Sequence, residues 1–231
     1  SDQAEFRDYF RKWFVGILPA LLDDTVVNHE ILVLIGEQGL YKTTWFNFLL
    51  PPELRCYFYT KTNSDRLNKD DLFSLTEFAL ICFEELDGMR PAELNQLKAM
   101  VTMPYVNERA AYGRNKERHP HIASFCGTGN NVQFLTDPTG NRRWLPFEVS
   151  QIRDPHLHAI PYELVYSQAY ALWKSGFCHW FSQEEIRKLN MHNSRFEVPN
   201  LEEDLIRTHF RKPFEGEAGI FVTAADILEQ I

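Results

Sequence analysis

The sequence predicts an α/β fold: a sheet of buried strands with covering helices, followed by a helical C-terminal extension. Three observations lead there. Residues 31–35 (ILVLI) and 78–83 (FALICF) are continuous apolar runs of strand length, as strands covered on both faces require. Strand-like runs alternate with segments of helical spacing through Val149. The first run also feeds a glycine-containing turn and then Lys42-Thr43 at the start of a helix, the order of a phosphate-binding P-loop.

Taken in order, residues 5–22 place Phe6, Phe10, Trp13, Phe14 and Ile17 on one helical face, with Pro19 as a kink or restart. Residues 1–26 read as an N-terminal helical segment and 27–150 as the core. Residues 43–50 form the helix after the loop, stopped by Pro51-Pro52. Residues 57–61 are a short β-rich run and 70–77 a short helix. Residues 91–103 are helical, with Leu94, Leu97 and Val101 on one face. Residues 121–126 and 143–149 supply two further strands. Residues 162–177 and 183–192 are helical and belong to an extension over 151–205. Residues 206–231 read as the beginning of a truncated C-terminal domain, with a winged helix as one candidate. Thr223 caps an apolar helical pattern there that stops in mid-phrase.

Composition bounds the function. The chain has 231 residues, is 44% hydrophobic and 24% charged, and carries 18 phenylalanines, which predicts a large, stiff core. No apolar run approaches the roughly 20 residues that span a bilayer, and no signal peptide is evident, so a cytoplasmic protein without a membrane partner is expected. Cys56, Cys82, Cys126 and Cys178 are scattered without a CxxC pair, which argues for reduced thiols over a zinc site. His119 and His121 lack a third ligand and are not read as a metal site. A net charge of −8 argues against general stickiness for nucleic acid, although a groove or ring can be locally basic.

Four constellations carry chemistry. In residues 36–44 (GEQGLYKTT), Gly36 and Gly39 let successive N–H groups turn toward an anion. Glu37, Gln38, Leu40, Tyr41 and Thr44 complete the loop. Lys42 suits β- and γ-phosphates, and the Thr43 hydroxyl suits Mg²⁺. Tyr41 stands where a glycine is usual. Second, the 78–83 strand ends in Glu84-Glu85, so that Glu84 takes the metal role and Glu85 the base that polarises water. Asp87 is either a helix N-cap or an auxiliary metal residue. Third, residues 124–131 (SFCGTGNN) deliver Asn130 to the same sheet edge, where it can meet a γ-phosphate or the lytic water. Fourth, residues 137–144 (DPTGNRRW) bring Arg142 and Arg143 into a strand. Two adjacent arginines there cannot both face a core, and an exposed one suits an arginine finger. Each has a plainer alternative: a surface lysine after a turn, a solvated acidic loop, a Gly-Asn turn, a surface ion pair.

The run GEQGLYKTTWFNFLLPPEL, then EELDGM, ERAAYGRN, GTGNN and FLTDPTGNRRWLPFEV, resembles the virulence-associated protein E family of mobile elements. That family is similar to superfamily 3 and poxvirus-type primase-associated helicases. The resemblance extends from the helix around Trp13 to about Val149, with family-like helices after it. It implies an AAA+-like P-loop ATPase that uses ATP and Mg²⁺, forms a ring, often hexameric, and acts on DNA. It matches Gly36, Gly39, Lys42 and Thr43 to the phosphate loop, Glu84 and Glu85 to the acidic pair, Asn130 to the sensor and Arg142 and Arg143 to the finger region. Tyr41 for glycine and Glu84 for aspartate depart from the usual pattern.

The leading expectation is therefore an ATP-driven DNA helicase or translocase module. Residues 107–118 lie between the acidic motif and the sensor strand, where ring helicases of this class carry a pore hairpin. Arg109, Arg114, Lys116 and Arg118 would meet phosphates of single-stranded or forked DNA, and Tyr112 would stack on a base. The alternative is a nucleotide-dependent switch or assembly module inert on DNA, favoured by the acidic net charge and the altered loop. A small-molecule kinase is disfavoured because no arginine-rich lid follows the core.

Overall fold

The computed structural model describes residues 2–62, 69–108, 117–136, 141–199, 201–214 and 216–230. The chain divides into two units, Ser1–Glu197 and Val198–Ile231. The first is built on a five-stranded sheet formed by β1 (Ile31–Ile35), β2 (Phe58–Lys61), β3 (Leu80–Phe83), β6 (Ser124–Gly129) and β7 (Trp144–Glu148), in spatial order β2-β3-β6-β1-β7. All four pairings are parallel. A separate antiparallel pair joins β4 (Tyr105–Glu108) to β5 (Glu117–Pro120).

Alternation along β1 explains its unbroken apolar sequence. Leu32 and Leu34 pack into a core on one face, with Trp13, Phe14, Ile17, Phe46 and Leu189. Ile31, Val33 and Ile35 pack into a second core on the other face, with Leu75, Leu94, Leu97 and Val101. A strand covered on both faces has no side on which to place a polar residue. The first core receives α1 (Asp2–Leu22), α2 (Lys42–Asn47), α5 (Tyr162–Lys174) and α6 (Gln183–Asn193); the second receives α3 (Lys69–Glu77) and α4 (Pro91–Val101).

Helix α1 continues through Pro19, which lies in its last turn. Its Trp13 is fully buried, and the indole N–H donates to the Phe125 carbonyl at 2.9 Å. Asn28 fastens the same region, donating from Nδ2 to the Trp13 carbonyl and to Ser124 Oγ. Helix α2 is shorter than the sequence predicts. After Asn47 the chain tightens into i→i+3 bonds, Leu49 N to Phe46 O and Leu50 N to Asn47 O, because Pro51 and Pro52 cannot continue the helix.

Strand β6 also differs from expectation. β6 begins at Ser124 and runs through both glycines to Gly129, whereas the sequence suggests 121–126. Before it, the N–H groups of Ile122 and Ala123 turn to the Leu75 carbonyl at the end of α3. No described helix is long and apolar enough to cross a membrane.

The second unit contains α7 (Leu201–His209) and α8 (Ala224–Gln230). Thr223 caps α8: its hydroxyl oxygen accepts from Asp226 N–H, while Asp226 Oδ2 accepts from Thr223 N–H at 2.7 Å.

Trp13→Ala is expected to cost about 3–5 kcal/mol of stability, since it removes a fully buried ring and its hydrogen bond. Urea unfolding measures this. A loss under about 1 kcal/mol would show that α1 is not an integral part of this core.

Candidate functional site

Because β1, β3 and β6 are parallel and adjacent, their carboxyl ends open on one edge of the sheet. Ile35 pairs with Gly129, and Phe83 with Gly127. Three turns therefore meet: residues 36–41 after β1, residues 84–87 after β3 and residues 130–131 after β6. A cavity of about 290 Å³ lies between them, lined by residues 38–44, Glu84, Glu85, Thr128, Gly129 and Asn130. Its walls are mostly polar, as a site for a charged ligand requires.

Lys42 is the first residue of α2 and is buried, with 8% of its surface exposed. Its ammonium donates to the Gly36 carbonyl at 2.6 Å and the Glu37 carbonyl at 2.8 Å, and lies 3.4 Å from Asn130 Oδ1. Burial holds its pKa below the usual lysine value, with Asp87 pulling the other way. The cation is thus desolvated, and among the described residues its hydrogen-bond acceptors are neutral oxygens, a poised arrangement for an incoming anion.

Beside it, Thr43 Oγ1 donates to Glu84 Oε1 at 2.7 Å. A hydroxyl and a carboxylate oxygen this close form an oxygen donor pair of the kind a hard divalent cation takes. Glu85 lines the same cavity and adopts a left-handed backbone, φ 55°. The sequence motif does not announce that conformation. Asp87 lies inside the 3-10 turn Leu86–Gly88, whose N-cap is Glu85. Asp87 Oδ1 accepts from Asn130 N–H at 3.1 Å, and its Oδ2 accepts from Asn131 N–H at 3.2 Å and Asn131 Nδ2 at 2.9 Å. Thr128, not singled out by sequence reasoning, also lines the cavity; its place inside a buried strand concealed it.

Tyr41 resolves the oddity of the loop. It sits at φ 60°, ψ 20°, the left-handed conformation that glycine adopts without cost. The backbone geometry is kept although the glycine is not, at a steric penalty of roughly 1–2 kcal/mol. The loop's Gly39 has φ 88°.

Arg142 and Arg143 are not brought to this edge. They precede β7, whose Trp144 pairs with Ile31 at the opposite end of β1. Four residue steps along the strand already separate the two edges by about 13 Å. At that far edge the arginines share a depression with His29, Glu30, Thr102 and Trp180. Arg143 Nε is buried without a hydrogen-bond partner among the described residues. Burial, then the charges of Arg143 and Arg142, lower the pKa of His29. Burial pushes the Glu30 carboxyl up to about 7.

Arg109, Tyr112, Arg114 and Lys116 lie outside the described residues. The β4–β5 ladder pairs Glu108 with Glu117, so residues 109–116 connect two antiparallel strands. Arg118, exposed on β5, lays its guanidinium 3.5 Å from the centre of the Tyr105 ring. Among the described residues no group of three His, Cys, Asp or Glu side chains could hold a metal ion by itself.

The sequence matches the virulence-associated protein E-like domain over residues 1–198. No curated protein matches the chain. Among solved structures, it is similar to the apo structure of the NrS-1 C terminal region (305-718), with 14% identity and a TM-score of 0.51. That match covers 87% of this chain and 50% of the other, so the chain spans about half of its length. An A form apo structure of the NrS-1 C terminal region is also similar, at 15% identity and TM-score 0.47, covering 90% of this chain and 48% of that one. At such identity the first likeness concerns the fold, a mixed α/β arrangement with a central parallel sheet.

A left-handed residue 41 predicts that Tyr41→Gly is more stable than Tyr41→Ala by about 1 kcal/mol, since alanine keeps the steric penalty that glycine removes. Urea midpoints of the two variants measure the difference. Equal stabilities would mean that this conformation is not held in solution.

Proposed function

The chain belongs to the virulence-associated protein E-like family, and we propose that it is the ATP-binding and ATP-hydrolysing part of a DNA helicase or translocase serving replication of mobile elements. The observation that carries this reading is the convergence of Lys42, the Thr43–Glu84 pair and Asn130 on one polar cavity. The strand–loop–helix around Lys42 then functions as a P-loop, with residues 36–44 enclosing the phosphates. Backbone N–H groups of the loop point at phosphate oxygens, and Lys42 exchanges the Gly36 and Glu37 carbonyls for β- and γ-phosphate oxygens. The exchange is favourable because a desolvated ammonium gains far more from an anion than from a carbonyl dipole.

Thr43 and Glu84 fit Mg²⁺, being paired oxygen donors beside the lysine. Bound there, the ion would neutralise developing charge on the transferred phosphoryl group. Glu85 accepts a proton from the attacking water as that oxygen bonds to the γ-phosphorus and the bond to the β-phosphate oxygen breaks. Asn130 orients the water or the γ-phosphate.

Arg142 and Arg143 are too far from their own cavity to reach its phosphates. Their role in this reading is to complete the site of a neighbouring subunit, a head-to-tail contact of the kind that closes rings. The basic residues Arg109, Arg114 and Lys116, with Tyr112, are assigned to DNA in the stretch of sequence between β4 and β5. A second reading, a nucleotide-dependent switch without unwinding activity, draws support from strained Tyr41 and from a lysine already tied to its own loop. Hydrolysis stimulated by single-stranded DNA favours the first reading, and hydrolysis indifferent to DNA the second.

Lys42→Ala is expected to weaken ATP binding at least about tenfold by removing a charge-assisted contact; unchanged affinity in isothermal titration would defeat the phosphate-loop assignment. Glu85→Gln should bind ATP normally yet lose most turnover, while Glu84→Ala should weaken Mg²⁺-dependent binding. Turnover lost in Glu84→Gln but kept in Glu85→Gln would reverse the two roles.

For the arginines, the double variant Arg142→Ala, Arg143→Ala should bind ATP but not hydrolyse it. Mixing it with Lys42→Ala should restore part of the activity, because mixed interfaces pair an intact pocket with an intact finger. In a sample whose assembly is confirmed by mass, absence of rescue would remove the in-trans role.

A further inference from the structure

The turn bearing Asn130 is anchored by a residue from the turn that follows β3. Asp87 lies in the 3-10 turn Leu86–Gly88 that follows the acidic pair, yet all three of its hydrogen bonds described above go to Asn130 and Asn131. Those bonds receive two backbone N–H groups and one side-chain amide, so the carboxylate grips the turn at both residues. Asn130 and Asn131 are themselves exposed.

The space for this contact is cleared by the strand. A Cβ on Gly127 would sit 2.2 Å from Leu86 Cδ1, and one on Gly129 3.1 Å from Asp87 Oδ1. The glycines of GTGNN therefore let the acidic turn lie flat against β6, which brings Asp87 within reach of the amides beyond the strand end.

We propose that Asp87 is a positioning residue: by clamping the Asn130–Asn131 turn to the turn that carries Glu84 and Glu85, it holds the water-orienting amide and the proton-accepting carboxylate as one unit. This rests on the ATP-hydrolysis reading above. Because Asp87 acts through Asn130 and is not among the residues that line the cavity, its loss is felt in the chemical step more than in nucleotide binding.

Amide hydrogen exchange at Asn130 and Asn131, read without nucleotide, and steady-state ATP hydrolysis test this in wild type, Asp87→Ala and Asp87→Asn. Expected for Asp87→Ala is exchange at both amides at least about tenfold faster with an unchanged urea midpoint. Its kcat should fall at least about tenfold while KM stays within about threefold. Asp87→Asn keeps the size and one acceptor, and should fall between the two on both measures. Unchanged exchange at the two amides overturns the clamp. Faster exchange with unchanged kcat overturns its role in the reaction. Should Asp87→Ala not fold, Asp87→Asn against wild type decides by the same measures. A wild type without ATP turnover defeats the hydrolysis reading and, with it, the catalytic half of this proposal, while exchange still judges the clamp.

Discussion

Parallel, in-register pairing of β1, β3 and β6 is the constraint on which the rest of the molecule depends. Three strands pointing the same way must end on the same edge, so the residues that follow each of them are neighbours without further design. The same pairing buries both faces of the central strands and makes their sequences apolar throughout. Parallel strands also need crossover segments, and these supply α2 on one face and α3 and α4 on the other, while α1, which precedes β1, and α5 and α6, which follow β7, complete the first face. Trp13 adds a fixed point, since its indole hydrogen bond joins α1 to the Phe125 carbonyl within the central strand β6.

On that edge, polar groups are held in costly states. A lysine is desolvated, a tyrosine adopts a glycine conformation and a glutamate takes a left-handed backbone. Each costs stability that a core of aromatic and branched side chains can offset. Strained or desolvated groups gathered in one cavity, rather than scattered over the surface, are what a site built for a charged ligand would show.

Much of this was legible in the residues. The apolar run before Gly36 and the Lys42-Thr43 pair fixed the place of a strand, a turn and a helix start, because burial on two faces and anion-directed turns demand those residue types. The end of α2 was less legible: a hydrophobic run up to Leu50 hid that Pro51 and Pro52 force the preceding turn to tighten. The end of β6 was misjudged because Gly127 and Gly129 read as turn formers. In the fold they are strand residues, there to let Leu86 and Asp87 approach. No local pattern could disclose the Asp87 contact, which spans 43 and 44 positions in sequence and exists only once β3 and β6 pair. The placement of Arg142 and Arg143 at the opposite edge follows equally from strand direction, since they precede β7 whereas the other three motifs follow their strands.

The central claim is that the edge above β1, β3 and β6 receives a metal–nucleotide complex. Mn²⁺ in place of Mg²⁺ tests it through paramagnetic broadening of assigned amide resonances in the presence and absence of ATP. The account predicts that signals from Thr43, Glu84 and Asn130 are lost when ATP and Mn²⁺ are both present, while those of Arg142 and Arg143 in the same monomeric chain stay sharp. Broadening centred on the arginine edge, or none that depends on ATP, would contradict it.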